Sequence, residues 1–546
     1  MRLASNEPPS MSRARKEAAQ RMPPLAKSAP VWWSMPHAAS SAAFAFDVRH
    51  RERLARAHRL RFLLHASEGE SSRKAEALRK EVTAVARNRY MPPPAELLAR
   101  TPPSHRAAPG LTRDEDFLHR SIWGPRASWC DAKSFYDTEE VLARRFHRDW
   151  DECREVLGMD KVILRSDKDG VGAEDEDADG IADEVEECAA VLWEAHALIS
   201  RAFSWYAAVG GGIHGMSMNE WSLFVVDHRL ALKSSKFCKK RDLDRLFLAI
   251  DGATARYWRE RLQQMQQKTS PEAERRLQGK GFFSRVELIG AVCHVAIIKY
   301  CATGEVADVS EALHRLLAED ISPRVDPRVV ADPNNFRRDY CYTHAMCDML
   351  AQHKESLRSI FAGIAGGGRS GAGAEVISLD EWLDYLRALG FLATDLSERD
   401  ARMCFILSRM CVVDARSERG HLRDSCLPFE GFCEMCVRVA LLKALPTDDE
   451  IAAARCKHAG AFMTKLKRED NAKYERLLCE RARPLGRDGQ PLQPPERALH
   501  HVLSMIVHTM EVETTGRDNQ RLTKSEAIEW LQKHKLWGYY DACDND

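Results

Sequence analysis

The feature that most constrains this 546-residue chain is an internal repeat. Residues 199–203 lead through Gly210-Gly211-Gly212 to Met216-Ser217-Met218-Asn219-Glu220-Trp221 and an apolar helical stretch. The same order returns further on, where residues 357–361 lead through Gly366-Gly367-Gly368 to Ile377-Ser378-Leu379-Asp380-Glu381-Trp382, the exits lying 161 positions apart. A second match follows each: Phe283-Ser284-Arg285-Val286-Glu287, running to Val295-Ala296, lines up with Leu427-Pro428-Phe429-Glu430-Gly431, running to Val439-Ala440. A fifth copy reads Leu522-Thr523-Lys524-Ser525-Glu526-Ala527. Repeats of this kind bury their apolar faces against one another rather than singly. The shared element is an apolar residue, three intervening residues that often begin with Ser or Thr, a Glu, and a helix. The Ser or Thr predicts an N-cap for that helix. The apolar residues Met216, Phe283, Ile377 and Leu427 are expected to make short β-bridges that hold loops together, with Trp221 and Trp382 packing behind them.

Paired loops, four of the five closed by Glu, resemble the EF-hand superfamily, specifically divergent calmodulin-like proteins with two widely spaced pairs. Long protist and ciliary EF-hand proteins are similar, including the helix over residues 405–410 before the fourth hand. The resemblance covers about residues 191–439, more weakly to the C-terminus. It implies a mainly α fold of paired EF-hand-like helix–loop–helix units behind a disordered basic N-terminal region. It also implies that each Glu would be the bidentate last ligand of a calcium loop. The other ligand positions argue against calcium. The first hand places Val209, Gly211 and Ile213 there, the second Arg276, Gln278 and Lys280 with Arg275 just upstream, and the third Ser370, Ala372 and Ala374. The fourth has Gly431 where the terminal Glu belongs, and the fifth offers Thr515, Arg517 and Asn519. Calcium takes six to eight oxygens, several from carboxylates, so these loops are expected to be structural. A generic helical repeat with capped helices is the rival reading.

One stretch does carry calcium-like spacing. Residues 174–187 hold nine acids and no base. Asp175, Asp177, Asp179, Gly180, Asp183 and Glu186 fall at offsets 1, 3, 5, 6, 9 and 12 of an EF-hand loop. Asp175, Asp177, Asp179, Asp183 and Glu186 are therefore the candidate calcium ligands, and calcium is the one cofactor the sequence suggests. Ala182 stands where a larger apolar residue belongs, and a solvated acidic linker explains the same composition.

Overall charge is balanced, with 81 basic and 81 acidic residues, but its distribution is not. Residues 1–110 carry 20 basic and 9 acidic side chains, interrupted by Pro8-Pro9, Pro23-Pro24, Pro92-Pro93-Pro94 and Pro102-Pro103. This reads as a disordered tail with one short helix over residues 73–89 and Trp32-Trp33 as an aromatic anchor. Such a tail is either partnerless or suited to an acidic surface: tubulin, membrane or nucleic acid. The longest apolar run, residues 289–298, is too short to span a bilayer, and no secretory leader is recognisable. Sixteen scattered cysteines suggest reduced thiols.

No catalytic constellation is legible. His147-Arg148-Asp149 lacks the accompanying kinase motifs and reads as a helical surface following an N-cap at Thr138. Cys433 and Cys436 have C-x-x-C spacing in an apolar helix without a second pair, and so read as buried thiols. Met403, Cys404, Met410 and Cys411 read as core; Cys293-His294 and His500-His501 look isolated. The expected domains are a tail over 1–115, a helical lead-in over 116–166, the acidic linker or loop over 167–188, hand pairs over 189–320 and 335–460, and a helical region over 461–546 with the candidate fifth hand. The expected function is a non-enzymatic adaptor or scaffold binding protein partners, either a cytoskeletal filament or an amphipathic helix, with nucleic acid not expected. Relatives suggest a cytoplasmic, cytoskeletal or ciliary setting. A calcium sensor using the acidic loop is the alternative.

Overall fold

The computed structural model describes residues 112–166, 182–233, 235–264, 281–326, 329, 332–365, 375–482, 492–534 and 536. The expectations for the N-terminal tail, Trp32-Trp33, Asp175, Asp177, Asp179, and the second and third ligand sets lie outside these residues. Apart from Ala182 and Asp183, the described residues fall in one compact unit. It is mainly helical, and no described helix is long and apolar enough to cross a membrane.

The lead-in comprises α1 (Thr112–Arg120), α2 (Arg126–Trp129), α3 (Glu139–Leu157) and α4 (Met159–Ser166). Thr138 caps α3 by accepting the Val141 N–H, as its position before an acidic first turn predicts. Next come α5 (Asp183–Glu194), α6 (His196–Val209), β1 (Met216–Ser217), α7 (Met218–Asp227), α8 (Lys240–Gln264), β2 (Phe282–Phe283) and α9 (Arg285–Ala296). The connection continues through α10 (Val309–Arg315), α11 (Pro333–Phe336) and α12 (His344–Gln352). The repeat then returns as α13 (Lys354–Ala365), β3 (Ile377–Ser378), α14 (Leu379–Ala388), α15 (Glu398–Ser408), α16 (Glu418–Ser425), β4 (Cys426–Leu427) and α17 (Phe429–Leu442). The C-terminal region holds α18 (Asp448–Ala453), α19 (Ala459–Glu469), α20 (Asn471–Arg481), α21 (Pro495–Thr515) and α22 (Lys524–Lys533).

Strand β1 pairs antiparallel with β2, Met216 opposite Phe283, and β3 pairs with β4, Ile377 opposite Leu427. The four apolar residues singled out by the repeat are thus the paired ones, and all four are buried. Behind each bridge a buried tryptophan anchors the next helix. Trp221 Nε1 donates to the Leu243 carbonyl at 3.1 Å, and Trp382 Nε1 to the Ala401 carbonyl at 3.3 Å. A buried lysine follows the last helix of each pair, but the partners differ in origin: Lys299 meets Asp320, in the connection after α10, at 2.6 Å, and Lys443 meets Asp395, between α14 and α15, at 2.9 Å. The C-terminal helices cover the second pair, α22 packing on α13 and α21 on α17, while α3 covers α8 and α9 of the first.

Several sequence expectations need correction. The helix expected over residues 405–410 ends at Ser408, so Met410 lies beyond it and is only partly buried, while Met403, Cys404 and Cys411 are buried as expected. The fourth unit contains the additional helix α16. Asp149 is not surface: it is buried against Arg285, with contacts of 2.5 and 2.9 Å. His500 is not isolated, since its Nδ1 lies 2.9 Å from His353 Nε2. Cys433 and Cys436 are buried in α17 as expected.

Candidate functional site

The loop-closing glutamates are engaged by their own helices. Glu220 accepts the Ser217 N–H at 2.7 Å, Glu287 the Ser284 N–H at 2.6 Å, Glu381 the Ser378 N–H at 2.7 Å, and Glu526 the Thr523 N–H at 2.8 Å. In each, the N-cap hydroxyl belongs to a reciprocal capping box, so the S/T-x-x-E spacing is satisfied entirely within the protein. The fourth unit differs. Pro428 stands at the N-cap, and Gly431 occupies the glutamate position. A Cβ at Gly431 would come within 2.7 Å of the anchor Leu427, so glycine lets the helix sit directly on its bridge residue.

The fifth loop is closed by a carboxylate from the helix before it. Glu511, buried on α21, accepts the backbone N–H groups of Asn519, Gln520 and Arg521 at 3.0, 2.9 and 2.7 Å. A calcium loop turns oxygens inward onto a cation; this loop turns amides inward onto an anion. Of the candidate calcium ligands, Asp183 opens α5 and Glu186 lies in its first turn.

A cavity of about 1000 Å³ lies between α3 and the two pairs. Among the described residues six arginines line it: Arg145, Arg148, Arg201, Arg285, Arg409 and Arg416. Most face carboxylates, with Arg148 2.8 Å from Asp414, Arg201 3.5 Å from Asp332 and Arg409 3.4 Å from Asp424, while Arg416 pairs with Glu152. Arg145 donates to Ser200 Oγ at 3.0 Å. Burial lowers the pKa of Arg201 and Arg409, and burial with neighbouring Arg148 brings Arg416 to about 10. Burial opposes the charge of Asp424, yet Arg409, His214 and Arg285 outweigh it and hold the carboxyl well below the usual range.

Two titratable groups that line this cavity, His196 and Cys411, have pKa values displaced from neutrality. His196 binds the Trp193 carbonyl at 2.7 Å through Nδ1, and burial pushes its pKa down to about 3, leaving a neutral ring at physiological pH. Burial pushes the Cys411 thiol up to about 12. A general base works best with a pKa near the operating pH, and a thiol attacks as thiolate. Ion pairs across the cavity wall join α3 to both pairs, through Arg285 and Asp149 on one side and through Arg148 with Asp414 and Arg416 with Glu152 on the other.

A second ionic centre lies under the fourth unit, and nothing in the sequence pattern marked it. Glu434, fully buried on α17, meets Arg126 at 2.5 Å, Arg438 at 2.6 Å and Arg337 at 3.2 Å. Arg337 also reaches Asp137 at 3.0 Å, tying α2, the α3 N-terminus and α17 together. The residue sits between Cys433 and Met435, where sequence reading attends to the thiols. Comparison of the chain with known protein families, with curated proteins and with solved structures returns no match.

Proposed function

We propose that this protein is a non-enzymatic EF-hand-like adaptor or scaffold, whose paired helix–loop–helix units are held by capping boxes and β-bridges and which binds protein partners. The observation that carries this reading is the engagement of Glu220, Glu287, Glu381 and Glu526 by their own N-cap amides. A loop closed this way keeps its shape from the chain alone. The first pair supplies a surface for a partner. Leu223 and Val226, 38% and 59% exposed, lie one turn apart on α7 and share a face. An amphipathic helix carrying apolar residues at the same spacing fits such a face. A cytoskeletal or ciliary setting rests on the sequence resemblance.

Calcium titration of the full chain by calorimetry tests the reading, beside a variant with Asp175, Asp177, Asp179 and Glu186 changed to Ala. No saturable heat in either protein is the expected outcome. Micromolar heat that the variant loses would replace the scaffold by a calcium sensor working through the acidic loop. Heat that survives in the variant would place calcium in the repeat loops and overturn their capping-box assignment.

A further inference from the structure

We propose that His458, His508 and Asp518 form a binding site for a divalent transition-metal ion of the zinc class. The three come from separate elements: His458 precedes α19, His508 lies on α21, and Asp518 is in the loop between α21 and α22. His458 Nε2 lies 2.9 and 3.0 Å from the two Asp518 oxygens, and His508 Nδ1 lies 3.1 Å from Oδ1. All three donor atoms fall within 4.8 Å of one another. Four-coordinate zinc bonds of about 2.0–2.1 Å to nitrogen and oxygen set donor atoms roughly 3.3 Å apart, so little movement closes this set on an ion. Two imidazoles and one carboxylate suit zinc-class ions and leave positions open for water or a further ligand.

His508 Nδ1 is the independent pointer. The residue is 8% exposed, and this nitrogen is buried without a hydrogen bond of acceptable geometry, despite its short distance to Asp518. Nε2 lies 3.2 Å from Thr464 Oγ1. A ring protonated at Nε2 donates there and turns its Nδ1 lone pair toward Asp518, the outer contact that metal-binding histidines use. Gly460 makes the approach of α19 and α21 feasible, since a Cβ there would lie 2.5 Å from the His508 Cβ. Asp518 is held by its loop, whose amides are clamped on Glu511, and remains partly exposed, giving an ion a way in. Gln520 lines the same spot, its Nε2 3.2 Å from His458 Nε2.

Coordination has one built-in consequence. His458 Nδ1 accepts the Ala461 N–H at 3.2 Å, which places the ring proton on Nε2. Ligation through Nε2 moves that proton to Nδ1, so the ion and this N-cap compete, and the first turn of α19 loosens as the ion binds. The site goes beyond the scaffold reading and does not depend on it.

The experiment titrates Zn²⁺ into the full chain by calorimetry, with Co²⁺ as a spectroscopic probe and amide exchange at Ala461 as a local readout. One saturable site is expected. His508→Asn and Asp518→Asn should each weaken it at least tenfold, while Cys456→Ser with Cys479→Ser leaves it unchanged. The Co²⁺ spectrum should lack a thiolate charge-transfer band, and exchange at Ala461 should quicken on binding. His458→Asn guards against misfolding, because Asn retains the N-cap while removing a ligand; it too should weaken binding at least tenfold. Absence of saturable heat, or undiminished affinity in folded His458→Asn, overturns the site. Loss of binding in the cysteine variant, or a thiolate band, does the same by assigning the ion to sulfur.

Discussion

The two pairs share a skeleton and differ wherever that skeleton meets something else. Both have an apolar bridge and a tryptophan on a backbone carbonyl, and each is followed by a buried lysine that takes its aspartate from a different place. Seven residues past the bridge the first pair has Gly290 and the second Glu434. A Cβ at Gly290 would come within 2.4 Å of Leu157, so α9 lies directly on α3. At the matching place on α17 a buried carboxylate gathers three arginines. The outer faces diverge too. Two and five residues past the tryptophan, the first pair exposes Leu223 and Val226, and the second carries Asp384 and Arg387, paired at 2.6 Å. The lesson is a division of labour: elements that define the units are local and duplicated, while each pair's neighbours are chosen by a few positions that the duplication left free.

The largest expected effect strikes the ionic centre. Glu434→Gln leaves three buried guanidinium groups facing a neutral amide and should cost about 3–5 kcal/mol. Gly290→Ala, which pushes a methyl into Leu157, should cost about 1–3 kcal/mol. Urea denaturation of the full chain measures both, and an equal or larger loss at Gly290 would break the contrast. Acid sharpens it. Burial opposes the charge of Glu434, but Arg337, Arg126 and Arg438 outweigh it and hold its pKa at about 2, below the ordinary 4.5. A carboxyl so depressed contributes its full stabilisation above its unfolded pKa and loses it as pH falls toward the folded one. The urea midpoint should therefore fall between about pH 4.5 and 2, less steeply in Glu434→Gln.

The capping boxes should behave alike in both pairs. Ser217→Ala and Ser378→Ala should each cost about 1 kcal/mol, read from the same urea curves. Unequal losses would mean that the two loops are not equivalent. The smallest effect on stability belongs to the outer face. Leu223→Asp with Val226→Arg writes the second pair's residues onto the first and should shift stability by no more than about 0.5 kcal/mol. The same double variant should abolish binding of a fluorescent amphipathic helical peptide followed by anisotropy, and retained binding would remove α7 as the docking face.

Much of the skeleton was legible because its signals are short-range. Met216, Phe283, Ile377 and Leu427 announce themselves by spacing to a capping serine or a helix start, and Thr138 by the acidic turn after it. What escaped reading depends on partners hundreds of residues away. Glu434 looks unremarkable beside two cysteines until α17 meets Arg126 and Arg337. Asp149 reads as surface until Arg285 arrives, and His458, His508 and Asp518 share no local pattern. The loop-closing glutamates were legible as positions but not in their task, because capping and calcium ligation ask for the same residue at the same place.

The clamp of three loop amides on Glu511 gives the C-terminal unit an unusual thermodynamic standing. When a loop is shaped by a dissolved ion, its stability varies with the logarithm of that ion's concentration. Here the closing charge is covalently tethered, at a concentration the cell cannot dilute or sequester. The clamp's own free-energy contribution is a constant of the chain, so the backbone that presents Asp518 is already shaped before any ion arrives.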